Sequence, residues 1–144
     1  MSRRLASTLL VSVVCALLVG CATGPTYSSL QTEFPRVASG QGRVFFYRNA
    51  LYAGAVFKPD ILIDGQRVGS AVPGGVFFVD LPPGAHSVFC DQQEIADMHL
   101  VAGETRYVSL DLYSGDWGLW HVRPILVDPD QGSQEILGLS YIHQ

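Results

Sequence analysis

Lysine occurs once in these 144 residues, as Lys58, and all basic residues number nine against thirteen acidic ones. A chain so poor in cations is not built for nucleic acid, because phosphate binding needs clustered Lys and Arg. Cysteine is scarce as well, with Cys15, Cys21 and Cys90 alone. Three thiols do not make the multi-bridge framework of a small secreted scaffold. The four histidines, His86, His99, His121 and His143, show no HxxxH spacing and have no CxxC beside them. Without ligand spacing no metal site is expected, and hydrogen-bonded or solvated imidazoles are the simpler reading. The G-x-S-x-G elbow of serine hydrolases is missing, and Ser114-Gly115-Asp116 reads as turn chemistry. Glu94 with Asp97 is a carboxylate pair of the kind glycoside cleavage uses, but that chemistry depends on a separation in space. Neither an enzyme nor a cofactor is expected.

What is present begins with Arg3 and Arg4, followed by an apolar run from Leu5 to Val19 that ends in Gly20, Cys21 and Ala22. The run falls short of the roughly 20 residues a membrane-spanning helix needs, so it reads as an export signal. Leu18-Val19-Gly20-Cys21 resembles the lipobox at which bacteria diacylate a cysteine and then cut before it. The resemblance implies a signal peptide over 1–20, cleavage between Gly20 and Cys21, and palmitate-type acyl chains on Cys21. A plain secretory signal with a chance cysteine is the alternative, and the coincidence of basic pair, apolar core and box disfavours it. Each buried methylene adds about 0.8 kcal/mol of membrane affinity, so an acylated Cys21 is a permanent membrane anchor. By resemblance to Gram-negative lipoproteins, Ala22 in place of a retaining aspartate implies the outer membrane, with the domain facing the periplasm.

Loss of Arg3 and Arg4 with the signal leaves seven basic side chains against thirteen acidic ones, a balance of −6. Cys15 leaves too. Cys90 is then without an intramolecular partner, and the alternation in Val88-Phe89-Cys90 places it on a buried strand face. Residues 21–42 are rich in Gly, Ser, Thr and Pro, with Tyr27, Leu30, Phe34 and Val37 scattered among them. They read as the lipidated cysteine and a flexible tether, docked at most through Phe34, that holds the domain a few nanometres from the membrane.

Residues 43–144 have the length of one domain. Arg43 to Arg48 is dense in β-formers and opens it as a strand. Asp64-Gly65 suits a type I′ turn and predicts a hairpin from Pro59 to Ala71. Pro82-Pro83-Gly84 predicts a turn returning Val76 to Leu81 antiparallel into Ala85 to Asp91. Asp97 to Val101 and Thr105 to Leu112 read as another pair, and Pro124 points to an edge or bulge in Trp120 to Val127. Asp128 at N-cap, Pro129 at the first helical position and Gln131 at N3 predict a short helix to Leu137, closed by Gly138, and explain both aspartates of Asp128-Pro129-Asp130 better than a calcium loop does. Leu139 to His143 is a candidate closing strand. The fold class expected is all-β, a single small β-sandwich of antiparallel strands with a short C-terminal helix.

Four blocks, Arg43 to Arg48, Ile63 to Gly69, Leu81 to His86 and Gly103 to Val108, resemble those of a family of bacterial lipoproteins whose domain has no known function. More distantly they are similar to PEGA domains, transthyretin-like β-sandwiches. That resemblance implies a fold and an envelope setting, and it brings no catalytic residues with it.

The best candidate binding surface runs from Tyr113 to His121 and holds Trp117 and Trp120, interleaved with glycines able to present them. Exposed Trp and Tyr anchor protein partners and stack on sugars. Trp120, at a strand start, is as readily a cap on the core. A second surface is the loop from Asn49 to Lys58, apolar at Leu51, Tyr52, Val56 and Phe57, with Arg48 and Lys58 at its rim. The partners expected are the membrane through Cys21 and an envelope protein or peptidoglycan.

Overall fold

The Asp64-Gly65 turn forms as its residue types dictate, with φ of +50° and +80° at the two positions, joining β2 (Asp60–Ile63) to β3 (Gln66–Ser70). The computed structural model describes residues 21–51 and 53–144. The signal segment with Gly20, and Tyr52 in the second candidate loop, lie outside the described residues.

The remaining strands are β1 (Gly42–Tyr47), β4 (Gly75–Leu81), β5 (Gly84–Cys90), β6 (Gln93–Leu100), β7 (Thr105–Ser114), β8 (Trp120–Val127) and β9 (Ser140–Tyr141). Two sheets stack as a sandwich: β8-β7-β1-β4-β9 and β3-β2-β5-β6. A short helix, α1 (Tyr27–Leu30), precedes them, and α2 (Pro129–Glu135) lies near the C-terminus. This is the all-β sandwich with a C-terminal helix that the sequence leads one to expect. Val44, Phe46, Phe77, Val108, Leu110 and Val122 from one sheet meet Ile61, Ile63, Val88, Cys90, Met98 and Leu100 from the other. Fully burying one such aliphatic or aromatic side chain stabilises the fold by about 1.5–3 kcal/mol.

Strand pairing departs from the sequence reading in three places. Pro82-Pro83 does not close a hairpin, because β4 lies in the larger sheet and β5 in the smaller, where it pairs with β2 and β6. The turn at residues 101–104 likewise crosses from β6 to β7 in the other sheet. Neighbours in sequence are thus separated in space, which leaves β7 to pair with β1 in parallel, as β9 does with β4. A hairpin not foreseen joins β5 to β6 at Asp91, whose φ is +56°. Pro124 does fall on an edge strand, β8.

The segment read as a flexible tether is packed onto the domain. Phe45, Tyr47, Val76, Tyr107 and Ile136 form a second core on the outer face of the larger sheet. Tyr27 meets Phe45 edge-on at 5.3 Å, and Phe34 meets Phe78 and Tyr141 at 5.4 and 4.5 Å. The backbone follows: Tyr27 N donates to Leu139 O, Tyr141 N to Pro25 O, and Ala22 N to Pro73 O at 2.8 Å. Docking wins because that face is otherwise an aromatic surface left in water.

Helix α2 starts where the sequence places it. Asp128 caps it by accepting from Asp130 N at 3.0 Å, and Pro129 stands at N1. The capping box is incomplete, since Gln131 donates instead to Glu135 at 2.8 Å. Regular helix ends at Glu135, short of the expected Leu137.

Candidate functional site

Among the described residues, the β7–β8 hairpin carries the most exposed large apolar side chain, Trp117. Its strands pair as far as Ser114 with Trp120, and a five-residue loop closes them. Gly115 N donates to Leu119 O at 2.8 Å, and a 3-10 turn over Asp116–Gly118 sits inside that bond. Trp117 occupies the turn at φ +60° with 98% of its surface exposed. A left-handed backbone costs a bulky side chain roughly 1–2 kcal/mol, a cost glycine avoids. Neither packing nor turn geometry calls for tryptophan at that position.

The hairpin is braced from below. Gly115 leaves room for the ring of His121, whose Cδ2 would lie 2.5 Å from a Cβ there. His121 Nδ1 is 2.8 Å from Asp91 Oδ2, which ties the hairpin to the β5–β6 turn of the other sheet. Tyr113 lies 5.5 Å from the His121 ring, with the Arg123 guanidinium 5.4 Å from the Tyr113 ring centre. Tyr113 pairs with His121, and Trp120 with Ser114. Adjacent strand positions point to opposite faces, so Tyr113 and Trp120 do not share one platform with Trp117.

The second candidate loop surrounds Arg48. Expected on the rim, Arg48 is 2% exposed and donates from Nη1 to Phe57 O and Ala71 O at 2.6 and 2.8 Å, and from Nη2 to Gly54 O at 3.1 Å. Burial lowers its pKa from the usual arginine value. The guanidinium therefore serves as a bracket for the loop, because its fork of donors matches several carbonyls at once. Phe57 turns into the core, whereas Leu51 and Val56 face solvent.

Other chemistry-bearing groups are engaged within the fold. A cleft of about 360 Å³ between β8 and α2 is lined by Ser109, Asp111, Asp128, Gln131 and Glu135. Ser109 donates to Asp111 at 2.6 Å and Tyr47 to Glu135 at 2.5 Å, so these acids accept from neighbours inside the protein. Glu94 and Asp97 stand exposed on β6, and neither lines this cleft. Cys90 is buried as its strand pattern predicts, and burial pushes its thiol up to about 12. Among the described residues no group of three or more His, Cys, Asp or Glu side chains is placed to hold a metal.

His86 is structural, and its geometry predicts a pH dependence. Nδ1 lies 2.7 Å from Asp64 Oδ2, and Nε2 lies 2.8 Å from Pro82 O. Only an imidazolium has a proton for both acceptors. The bond to Asp64 raises the His86 pKa above 6.5, and the same bond lowers that of Asp64 below 3.8. The His86 contribution is full below its unfolded value and is lost as pH rises through the raised one. The Asp64 contribution is full above its unfolded value and is lost as pH falls through the depressed one. Thermal stability from this pair is expected to peak between about pH 4 and 6.5, the two unfolded values, and to decline as pH rises through the raised His86 pKa. His86→Gln removes that part of the decline, and a variant with the wild-type profile sinks the assignment.

A family profile described as "Protein of unknown function (DUF2846)" matches residues 38–119, from just before β1 to the tip of the β7–β8 hairpin. Comparison with curated proteins returns no match. Among solved structures, the chain is similar at 17% identity and a TM-score of 0.38 to the N-terminal domain of AlgF from P. aeruginosa, over 63% of this chain and 98% of that one.

Proposed function

The chain belongs to the DUF2846 family of proteins of unknown function, and on that premise we propose that it is a lipid-anchored, non-enzymatic module of the cell envelope. Its sandwich serves as an interaction or structural unit at the outer membrane, facing the periplasm, and Cys21 carries the anchor. The observation that carries this reading is the lipobox-like Leu18-Val19-Gly20-Cys21, with Cys21 exposed beside Ala22, whose N donates to Pro73 O. The likeness of its sequence blocks to PEGA domains supports the non-catalytic part. In the cleft beside α2, Asp111 and Glu135 accept hydrogen bonds from Ser109 and Tyr47 of the same domain, in keeping with a structural role for these acids.

Cys21→Ser is expected to abolish acylation, leave the precursor uncleaved, and raise its apparent mass by the length of the signal. Metabolic labelling with a clickable fatty acid, followed by mass spectrometry of the N-terminal peptide, checks this. Normal processing and label in the serine variant rule out the anchor.

A further inference from the structure

We infer that the end of the sandwich bearing Trp117 lies against the lipid bilayer itself, with Trp117, Leu119 and Val56 seated among headgroups and upper acyl chains. This rests on the reading of Cys21 as the acylated residue. It goes beyond that reading by assigning which surface of the domain meets lipid and how it is oriented.

The first observation is where the anchor leaves the fold. Ala22 N donates to Pro73 O at 2.8 Å, and the next residue, Gly74, closes onto the residue that follows β1, its N donating to Arg48 O at 2.8 Å. Cys21 is therefore one residue from a point pinned beside the finishing end of β1. One residue spans at most about 3.6 Å, so acyl chains on Cys21 hold this end of the domain, rather than the opposite one, near the membrane.

The second observation is what else stands at that end. The loop after β1 presents Leu51 and Val56, the latter 93% exposed, and Gly74 lies against Ala50 of the same loop. β7 pairs with β1 only as far as Ser109 and then runs on with β8 alone to Ser114. Five residues at about 3.3 Å each carry the base of the Trp117 loop, at Ser114, some 16 Å past that last pair. Trp117, Leu119 and Trp120 thus share with Leu51 and Val56 the end where Cys21 emerges. By contrast, Phe89 and Leu126 are isolated on strand faces, and Val101 lies at the opposite end. β8 and β4 are three strand spacings apart, about 14 Å, so the tip and the anchor point fall on one end of one small domain.

The chemistry fits lipid in particular. Between Ser114 and Trp120 the only charged side chain is Asp116, so the tip has no cation for headgroup phosphates and relies on apolar contact. Tryptophan is the side chain best suited to the boundary between acyl chains and water. A protein or glycan ligand for Trp117 would have to fit between this end and the nearby bilayer.

The test uses the full lipidated protein in phosphatidylethanolamine–phosphatidylglycerol vesicles. Trp117 and Trp120 are the only tryptophans, so Trp120→Phe leaves position 117 as the single fluorophore. Acyl chains brominated at defined depths are expected to quench its emission at least two-fold, with a blue shift, most strongly for shallow labels. Trp117→Phe, which reports from Trp120, should show weaker quenching because that ring is partly packed. Circular dichroism and the unfolding midpoint establish that both variants fold. Acylated protein whose Trp117 is not quenched overturns the orientation and leaves the anchor standing. Protein found without acyl chains on Cys21 overturns both. Quenching relieved by adding envelope protein or peptidoglycan fragments at equal lipid also overturns it, in favour of that ligand.

Discussion

Arg48→Met is expected to lower the free energy of unfolding by about 3 kcal/mol or more, since hydrogen bonds to a charged group contribute about 1.5–3 kcal/mol each. Methionine keeps much of the apolar stem, so the loss reports on the guanidinium. Its three carbonyl partners, on Gly54, Phe57 and Ala71, belong to the loop after β1 and to the segment leaving β3. Deprived of donors, these carbonyls either stay unsatisfied or draw in water by opening the loop. The urea midpoint should fall, and protease should cut within residues 49–58 before global unfolding. Arg48→Lys should recover only part, because one ammonium cannot reproduce a planar fork. A methionine variant within 1 kcal/mol of the wild type would show that the loop holds itself.

Gly132→Ala is expected to destabilise the protein by about 2 kcal/mol, against the direction of helix propensity, which favours alanine by up to about 1 kcal/mol. Gly132 is the buried residue of α2, and a Cβ there would lie 2.4 Å from both Cβ and Cγ of Tyr107. Tyr107 has little room to yield, because its ring stacks on Phe45 at 5.3 Å. The helix must lift instead. Lifting it exposes Ile136, which is 1% exposed, and strains the bond from Tyr47 to Glu135. Thermal unfolding of the single variant decides the matter: a higher midpoint than the wild type means that close packing is not what sets the glycine.

The site divides into parts that were legible in the sequence and parts that were not. Clustering of both tryptophans between glycines drew attention to the β7–β8 hairpin, where Trp117 stands exposed. Their degree of exposure was not legible, since a tryptophan at a strand start serves a core or a surface equally well. Arg48 was misplaced for a related reason. A cation at the end of an aromatic strand reads as a rim residue, and only the fold brings three carbonyls from separate segments around it. The tether was misread because Tyr27 and Phe34 follow no helical or strand period. Their partners are Phe45, Phe78 and Tyr141, distant in sequence, so no local pattern records the contact.

By itself the sequence determined what short-range chemistry controls: the Asp64-Gly65 turn, the Asp128-Pro129 helix start, the edge position of Pro124, the burial of Cys90 and the all-β class. Those features depend on a residue and its near neighbours, through allowed dihedrals, a missing N–H and alternation along a strand. Tertiary structure alone decided which strands share a sheet, that Pro82-Pro83 and residues 101–104 cross between sheets, and that Tyr27 and Phe34 pack on the outer face. The reason is physical. Hydrophobic burial has no direction, and the entropy of closing a loop changes only slowly with its length. Partners near and far along the chain therefore compete on nearly equal terms, and the packing of the whole domain selects among them.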